Sequence, residues 1–434
     1  MTKETNKKLG LLQTTSLVVG NMIGSGVFLL PAALAVYGGI SMIGWLVSSI
    51  GAIILAIVFA HLSRRFPKAG GPYAYTRLGF GDFPAFLVAW GYWISIIATN
   101  AAITVALLSY LTVFFPVLSD HTYLAIAIGL GLIWLLIWVN NRGVLAASWV
   151  QLITTILKIT PLFLIALLGV FYINWDYFQP LNVSGEGDGA AIIATATLTL
   201  FAFLGIECAT IPAENIENPT KTIPRATILG TAAAIFIYLL GSLAVMGIIP
   251  ANTLQTSEAP YADAAAVIWG ESARYWVALG AIISTFGALN GWILMQGQIP
   301  LAAAKDQLFP AFFKQTNRFG SPSKGIIVSS VLVSILMVMN FNEGFIAAFE
   351  FMILLATLTV LVPYLFSTGA HMLYYLQPQQ YAQNKWTWSI GLLGFIFSML
   401  AVVGSGEEVV FWGFLLLMGG IPFYIWLKKG KEMV

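Results

Sequence analysis

Twelve long apolar runs, joined by short polar connections, limit the fold of this 434-residue chain more than any other feature. An α-helix needs roughly 20 apolar residues to cross a bilayer, and each run has about that length. Only 9% of the residues are charged, against roughly 25% in soluble proteins. We therefore predict an all-α polytopic membrane protein with about 12 transmembrane helices. The runs occupy residues 11–36, 40–63, 84–115, 122–139, 146–172, 190–211, 226–249, 273–300, 325–341, 345–375, 387–404 and 409–427.

Basic residues predict the orientation of these spans. Twelve spans place both termini on the same side of the membrane. Of the 20 Lys and Arg residues, 18 fall on that side, Arg274 falls on the opposite side and Lys158 lies within a span. Basic residues are retained preferentially on the cytoplasmic side of a membrane. We predict a multi-pass protein of the cytoplasmic (inner) membrane with both termini in the cytoplasm.

Residues 20–31 interrupt the first apolar run with glycines, an asparagine and a proline. Irregular backbone at membrane depth is tolerated only where it is buried in protein or lines a wet cavity. Broken helices of this kind hold the substrate in many transporters. The alternative is a glycine-rich face that lets two helices pack closely.

The sixth run has a similar interruption at Gly205, followed by Glu207 and ending at Pro212. It comes five spans after Gly24, and an odd number of spans means that the second copy enters the membrane from the opposite side. Paired breaks in inverted halves favour a substrate site over the packing alternative. We predict one transporter domain, 1–434, with inverted repeats at 1–172 and 173–375 and two additional helices at 376–434.

The two breaks offer complementary chemistry. The N-terminus of a half-helix presents N–H groups and a positive dipole, so the backbone at Ser25 and Gly26 could bind a carboxylate. Carbonyl groups at 203–206 could accept hydrogen bonds from an ammonium group. An amino acid carries both groups, which makes it the predicted substrate class.

Two charged residues lie inside apolar runs, where ionisable groups are expensive and usually functional. Glu207 is interpreted as a proton carrier, an attractor of cations or a structural hydrogen-bonding group. Lys158 is interpreted as a proton-binding group, a fixed cation in place of a sodium ion, or a snorkelling side chain. Glu350 is expected to line a solvated vestibule.

Mid-span aromatic side chains and one amide could complete the site. Asn100 could bond the substrate side chain or a neighbouring helix. The aromatic residues could stack on a cationic substrate or simply fill the core; they are Tyr92, Trp93, Phe201, Trp292 and Tyr364. The three histidines have no ligand spacing, and the chain has no phosphate-binding loop and no nucleophile–base pair. We therefore expect no metal, no cofactor, no nucleic-acid partner and no enzymatic activity.

Several motifs resemble those of the amino acid–polyamine–organocation superfamily. They are Gly-Ser-Gly at 24–26 with the following Val-Phe-Leu-Leu-Pro, the loop 67–75, the segments 214–219 and 223–226, and residues 291–292, 305–310 and 362–364. The chain is most similar to the basic amino acid/polyamine antiporters. The resemblance implies a leucine-transporter-type fold with broken helices 1 and 6, a homodimer and alternating-access exchange.

The resemblance also implies roles for individual residues. Ser25 and Gly26 would hold the carboxylate and Asn100 the side-chain end, with Phe201 standing where arginine exchangers have a tryptophan. The predicted substrate-binding set is Asn21, Ile23, Gly24, Ser25, Gly26, Ser95, Asn100, Ile103, Phe201, Ala202, Leu204, Trp292 and Ala356. The predicted gating and proton-coupling set is Tyr92, Lys158, Glu207 and Tyr364.

These observations predict a secondary transporter for amino acids, an amino acid/amine antiporter of the arginine/agmatine type. The alternative within the class is a proton-coupled or uniport permease for neutral or cationic amino acids. From other classes, a channel or a membrane-embedded receptor stays open. The expected partners are small amino acids or amines, protons, the lipid bilayer and a second copy of the chain.

Overall fold

The computed structural model describes residues 8–142, 144–340 and 345–429. Lys3, Lys7, Glu343 and Lys431, which belong to the charge pattern of the predicted topology, lie outside these ranges. The α-helices are α1 (Leu11–Met22), α2 (Ser25–Ala35), α3 (Ser41–Arg65), α4 (Pro72–Phe80), α5 (Asp82–Leu111), α6 (Val117–Asp120), α7 (Thr122–Asn140), α8 (Val144–Leu168), α9 (Asp188–Leu200), α10 (Pro219–Ile248), α11 (Ala251–Leu254), α12 (Pro260–Trp269), α13 (Glu271–Lys305), α14 (Ser323–Asn340), α15 (Phe345–Tyr375), α16 (Pro378–Gln383), α17 (Thr387–Gly404), α18 (Glu407–Met418) and α19 (Gly420–Lys428).

Each predicted apolar run contains α-helix in the described part of the chain. Within the described ranges, 10 helical segments are long and apolar enough to cross a membrane. The two remaining runs form α8, with 25 residues, and α14, with 18 residues. The prediction of an all-α polytopic membrane protein is confirmed. The first span consists of α1 and α2, and the twelfth of α18 and α19.

The first span breaks at Ile23 and Gly24, the first break. Helix α1 ends at Met22 and α2 begins at Ser25, while Gly24 has φ −127° and ψ −126°, outside both the helical and the extended regions. A Cβ atom at Gly24 would lie 2.9 Å from Cβ of Ala288 on α13. Glycine is therefore required here by the close approach of another helix.

The sixth span breaks at residues 201–210, the second break. Helix α9 ends at Leu200, and short 3₁₀ turns follow at Phe201–Phe203 and Cys208–Thr210. Gly205 between them has φ +111°, a conformation that side chains of L-residues rarely adopt. A Cβ atom on Gly205 would lie 3.3 Å from Cβ of Asn21, so the two breaks meet at this glycine.

The two broken spans run in opposite directions. Helix α1 packs beside the turn Cys208–Thr210, whereas α2 packs beside α9 and the turn Phe201–Phe203. This antiparallel crossing is the arrangement expected of inverted halves. The division into repeats at 1–172 and 173–375, with 376–434 added, stays a prediction.

An isolated bridge connects the start of the first span to the loop that follows the sixth. Leu9 pairs with Ile216 in parallel, and the N–H of Glu217 donates to the carbonyl of Leu9 at 2.9 Å. The segment before α1 is therefore fixed to the chain that leaves the second break.

Candidate functional site

A small buried cavity lies between the two breaks. It has room for about one water molecule. Eight residues of the predicted substrate-binding set line it, together with Met22 and Thr99, which the sequence analysis did not name. The lining consists of Asn21, Met22, Gly24, Ser25, Gly26, Thr99, Ile103, Phe201, Leu204 and Trp292.

The first turn of α2 forms one wall of this cavity. Ser25 is fully buried, and its Oγ has no hydrogen-bond partner among the described residues. A Cβ atom at Gly26 would lie 3.1 Å from Cα of Ala202, so the backbones of α2 and the second break approach closely. The N-terminus of α2 and the free hydroxyl together can bind an anionic group.

Trp292 on α13 fixes the backbone at the end of α1. Its indole Nε1–H donates to the carbonyl of Asn21 at 3.1 Å, and the side chain is fully buried. The amide of Asn21 is also buried, and within the described structure neither of its side-chain polar atoms has a hydrogen-bond partner by distance and angle. Asn21 therefore has hydrogen-bonding capacity left for a ligand in the cavity.

Lys158 on α8 lies against the carboxyl end of α1. Its Nζ donates to the carbonyls of Gly20, at 2.6 Å, and Ile23, at 2.5 Å, and the side chain is 0% exposed. A cation is favoured here because the free carbonyls and the dipole of α1 both present negative charge. This geometry argues against a snorkelling side chain and agrees with both a proton-binding group and a fixed cation.

Glu207 in the second break accepts hydrogen bonds from two tyrosines. The hydroxyl of Tyr92 on α5 lies 2.5 Å from Oε1, and that of Tyr364 on α15 lies 2.7 Å from Oε2. All three side chains are at most 1% exposed. The structure thus brings three of the four predicted gating residues into one contact group, joining the second break to two neighbouring spans.

The other predicted substrate-binding residues make contacts between helices. Ser95 Oγ donates to the carbonyl of Ala356 at 2.8 Å, which joins α5 to α15. Asn100 Nδ2 donates to Gln296 Oε1 at 2.8 Å, which joins α5 to α13. Ala202 packs against Gly26. For Asn100, the geometry agrees with the helix–helix interpretation that the sequence left open.

Thr99 shows what the sequence analysis missed. Its Oγ1 is buried and has no partner in the described ranges, whereas Thr104 in the same helix donates to the carbonyl of Asn100 at 2.8 Å. Threonines in helices usually bond back to the preceding turn. Sequence alone does not distinguish these two threonines, although the position of Thr99 beside Asn100 was a usable signal.

Ion pairs connect the helices on the side of the chain termini. Arg77 on α4 pairs with Asp82 at 2.8 Å and Asp306 at 3.2 Å, and Tyr73 donates to Asp306 at 3.1 Å. Burial, and then the Asp306 carboxylate, raise the pKa of Tyr73 well above its ordinary value. The paired side chains are more than a third exposed, so each ion pair contributes at most about 1 kcal/mol.

The described residues contain no group of three or more His, Cys, Asp or Glu side chains that could hold a metal ion. Glu350 on α15 is partly exposed, and its side chain is outside the set that lines the cavity. The chemistry of the site therefore comes from helix ends, hydroxyls, amides and the two buried charges.

Helical spans that are broken at mid-depth and enclose a polar cavity define a secondary transporter. The family model for amino acid permeases matches residues 9–416, and the chain belongs to this family. The family membership confirms the predicted resemblance.

Curated relatives span most of the chain. It is 36% identical over 345 residues to a cadaverine/lysine antiporter of Escherichia coli K12, covering 77% of this chain and 75% of the relative. It is 31% identical to an arginine/ornithine antiporter of Pseudomonas aeruginosa, covering 98% and 89%. It is 30% identical to a putrescine transporter of Haemophilus influenzae, covering 96% and 97%.

A solved structure has the same fold. The chain matches a Na⁺-coupled sialic acid symporter, in its substrate-bound outward-open state, with a TM-score of 0.57 and 13% sequence identity. The match covers 91% of this chain and 89% of the symporter. It confirms the predicted leucine-transporter-type fold and, at this identity, shows the fold alone.

Proposed function

We propose that this protein exchanges an amino acid for an amine or a second amino acid across the inner membrane by alternating access. The observation that carries the proposal is the buried cavity between the two helix breaks, with the free Ser25 hydroxyl at the N-terminus of α2. The names of the relatives support this substrate class, since they refer to lysine with cadaverine, to arginine with ornithine, and to putrescine.

Within this proposal each of the two breaks binds a different group of the substrate. Ser25 and Gly26 hold the carboxylate, because the first N–H groups of α2 are not used within the helix. The carbonyls beside Leu204 accept from the ammonium group, and Leu204 lines the cavity. Phe201 and Trp292 cover the aliphatic part of the substrate, while Asn21 and Thr99 offer further polar contacts.

Opening of the site follows from the size of the cavity. A space for about one water molecule is too small for an amino acid. Substrate entry therefore requires the breaks to separate, and the Tyr92–Glu207–Tyr364 group is the contact that must rearrange on the side of α1. In the proposed cycle, exchange depends on pH because Glu207 takes up and releases a proton. Both termini lie in the cytoplasm. The protein acts as a homodimer.

Proteoliposomes loaded with one substrate test the exchange. Radiolabelled L-arginine and L-lysine are offered outside, with each of the twenty amino acids, agmatine, putrescine or cadaverine inside. We expect uptake that saturates and that rises several-fold when the vesicles contain an accepted substrate. Uptake independent of every internal compound contradicts exchange, and a rate that does not saturate indicates a channel.

Lys158 favours one second candidate, a sodium-independent permease that takes up amino acids without exchange. Its Nζ donates hydrogen bonds to the carbonyls at the end of α1, where a coupling cation would otherwise bind. Empty vesicles separate the two candidates. Uptake into them, unchanged by sodium and driven by an inward proton gradient, supports the permease and rules out obligatory exchange.

A further inference from the structure

Gln296 on α13 holds the side chain of Asn100 on α5 in one orientation. Gln296 belongs neither to the sequence motifs nor to the cavity lining. Nδ2 of Asn100 donates to Oε1 of Gln296 at 2.8 Å. Asn100 is 1% exposed and Gln296 is 0% exposed, so both amides lie in the protein interior. The inference below rests on the function proposed above, because it concerns the substrate of the same cavity.

A backbone carbonyl fixes the direction of both amides. Gln296 Nε2 lies 3.2 Å from the carbonyl oxygen of Ile326 and 2.6 Å from Oγ of Ser330. A carbonyl can only accept, so the nitrogen end of the Gln296 amide must face Ile326. The oxygen end then faces Asn100, which must present its nitrogen in return. An exchange of O and N in either amide would bring two acceptors or two donors together.

This orientation leaves the oxygen of Asn100 free. Oδ1 of Asn100 is buried and has no hydrogen-bond partner in the part of the chain that the structure describes. A buried acceptor without a donor is destabilising, and native proteins usually satisfy such groups with protein, water or ligand.

Asn100 lies next to lining residues of the cavity and is not itself one of them. Thr99, directly before Asn100, and Ile103, less than one turn after it, both line the cavity. Trp292, one turn before Gln296 on α13, lines it as well. Oγ1 of Thr99 is also buried and unpaired within the described residues, so two consecutive positions of α5 each carry a free oxygen.

We propose that Gln296 is a positioning residue that turns the Asn100 oxygen toward the distal end of the substrate and thereby selects substrates that end in a hydrogen-bond donor. An ammonium group carries only donors and satisfies this oxygen, and the Thr99 hydroxyl can accept beside it. A methyl group of the same reach leaves the acceptor buried and unpaired. The substrate class of the site is thus an amino acid or amine with a cationic distal end.

The test uses L-lysine and L-norleucine, which share the same straight carbon chain and differ only in the terminal amino group. Apparent affinities for both are measured on the full-length protein in proteoliposomes by counterflow. We expect wild type to prefer lysine. Gln296→Met, which has a similar volume, frees the Asn100 amide and lowers the lysine-to-norleucine affinity ratio by about tenfold, which corresponds to about one hydrogen bond. The rate at saturating lysine changes little.

Two variants provide matched controls. Ser330→Ala removes one partner of Gln296 Nε2 but leaves the Ile326 carbonyl, so the affinity ratio stays at the wild-type value. Gln296→Glu in its protonated form can donate to Ile326 and accept from Asn100, so at low pH it restores the ratio that Gln296→Met loses.

Asn100→Leu tests the residue through which Gln296 acts. This variant lowers the ratio as far as Gln296→Met does, and the double variant Asn100→Leu/Gln296→Met lowers it no further, because both changes remove the same interaction. The monodispersity and melting temperature of each purified variant show that it folds. If Gln296→Met is unstable, the ratio in Asn100→Leu decides the question.

Several outcomes overturn the inference. One is a wild type without preference for lysine, and another is an unchanged ratio in Gln296→Met and Asn100→Leu. A third is an equal loss of lysine and norleucine affinity in Gln296→Met, which is the mark of a purely structural role. In each case exchange itself persists and the proposed function stands. A wild type that exchanges no amino acid or amine of the panel above instead overturns the proposed function.

Discussion

The two helix breaks that enclose the cavity are stabilised in opposite ways. The first break is two residues long, and the Lys158 side chain of another helix donates from Nζ to the carbonyls of Gly20 and Ile23. The second break extends over residues 201–210 and contains Glu207, whose carboxyl group accepts from two tyrosine hydroxyls. One break is held by an ionisable side chain from outside it, and the other contains an ionisable side chain of its own.

This difference predicts that the two breaks move to different extents during transport. Lys158 donates to the carbonyl of Ile23 in the first break, and Trp292 donates to that of Asn21 just before it, so the geometry here should persist while the substrate binds. The second break is held by the Tyr238 hydroxyl, which donates to the carbonyl of Ala202, and by the Glu207 side chain, whose partners can be exchanged by rotation of single bonds. We therefore expect the second break to carry the larger conformational change and the pH dependence.

Filling the space between the breaks should have the largest effect. In Gly26→Leu the Cβ atom alone would lie 3.1 Å from Ala202 and 3.3 Å from Phe201, before the rest of the leucine side chain is added. We expect no measurable substrate binding by calorimetry, since the carboxylate loses its space. Gly131→Leu on α7 is the matched control, because a Cβ atom there has nothing within 4 Å. Unchanged affinity in Gly26→Leu would remove this glycine from the site.

Removing the Lys158 amino group should disable the first break. Lys158→Met leaves the carbonyl of Gly20 without its side-chain donor and that of Ile23 with only the 3.5 Å contact to Ser284 Oγ, and a buried unsatisfied group costs about 1–3 kcal/mol. We expect the exchange rate to fall by more than about tenfold in proteoliposomes. Lys428→Met, which breaks a half-exposed ion pair with Asp82, should change the rate less than about twofold. Equal effects of the two variants would contradict a special role of Lys158.

Removing the titratable group of the second break should act in a different way. Glu207→Gln can no longer take up or release a proton, so we expect the pH dependence of exchange to flatten. Tyr364→Phe removes one donor but keeps the carboxylate, and should slow exchange while retaining a pH dependence. An unaltered pH profile in Glu207→Gln would count against its proton role.

An acid outside both breaks should have the smallest effect. Glu350 on α15 is partly exposed and does not belong to the described lining of the cavity. We expect Glu350→Gln to change the exchange rate by less than about twofold and to leave the pH profile intact. A flattened profile in this variant would show that the pH dependence does not belong to the second break alone.

Local sequence signals were sufficient to place both breaks. Gly24 and Gly205 interrupt apolar runs, and in the structure one allows a close helix contact while the other adopts a positive φ. Glu207 and Lys158 were identified because a charge inside an apolar run is rare and expensive. Each of these signals lies within one span, and a single sequence can show it.

Contacts between distant spans could not be predicted in the same way. The Lys158 contact with Gly20 spans 138 positions and that of Asn100 with Gln296 spans 196. Which carbonyl a lysine meets, or which amide end faces a neighbour, depends on how the helices are rotated against each other. Thr99 and Thr104 differ in the same respect, because only the packed structure shows which hydroxyl bonds back to its own helix.

The bridge between Leu9 and Ile216 has a mechanical consequence. It joins the chain just before α1 to the chain just after the second break, so these two segments cannot move independently while the bridge persists. We expect opening of the site on that side to displace α1 and the loop after residue 210 together, with no intermediate in which only one of them has moved.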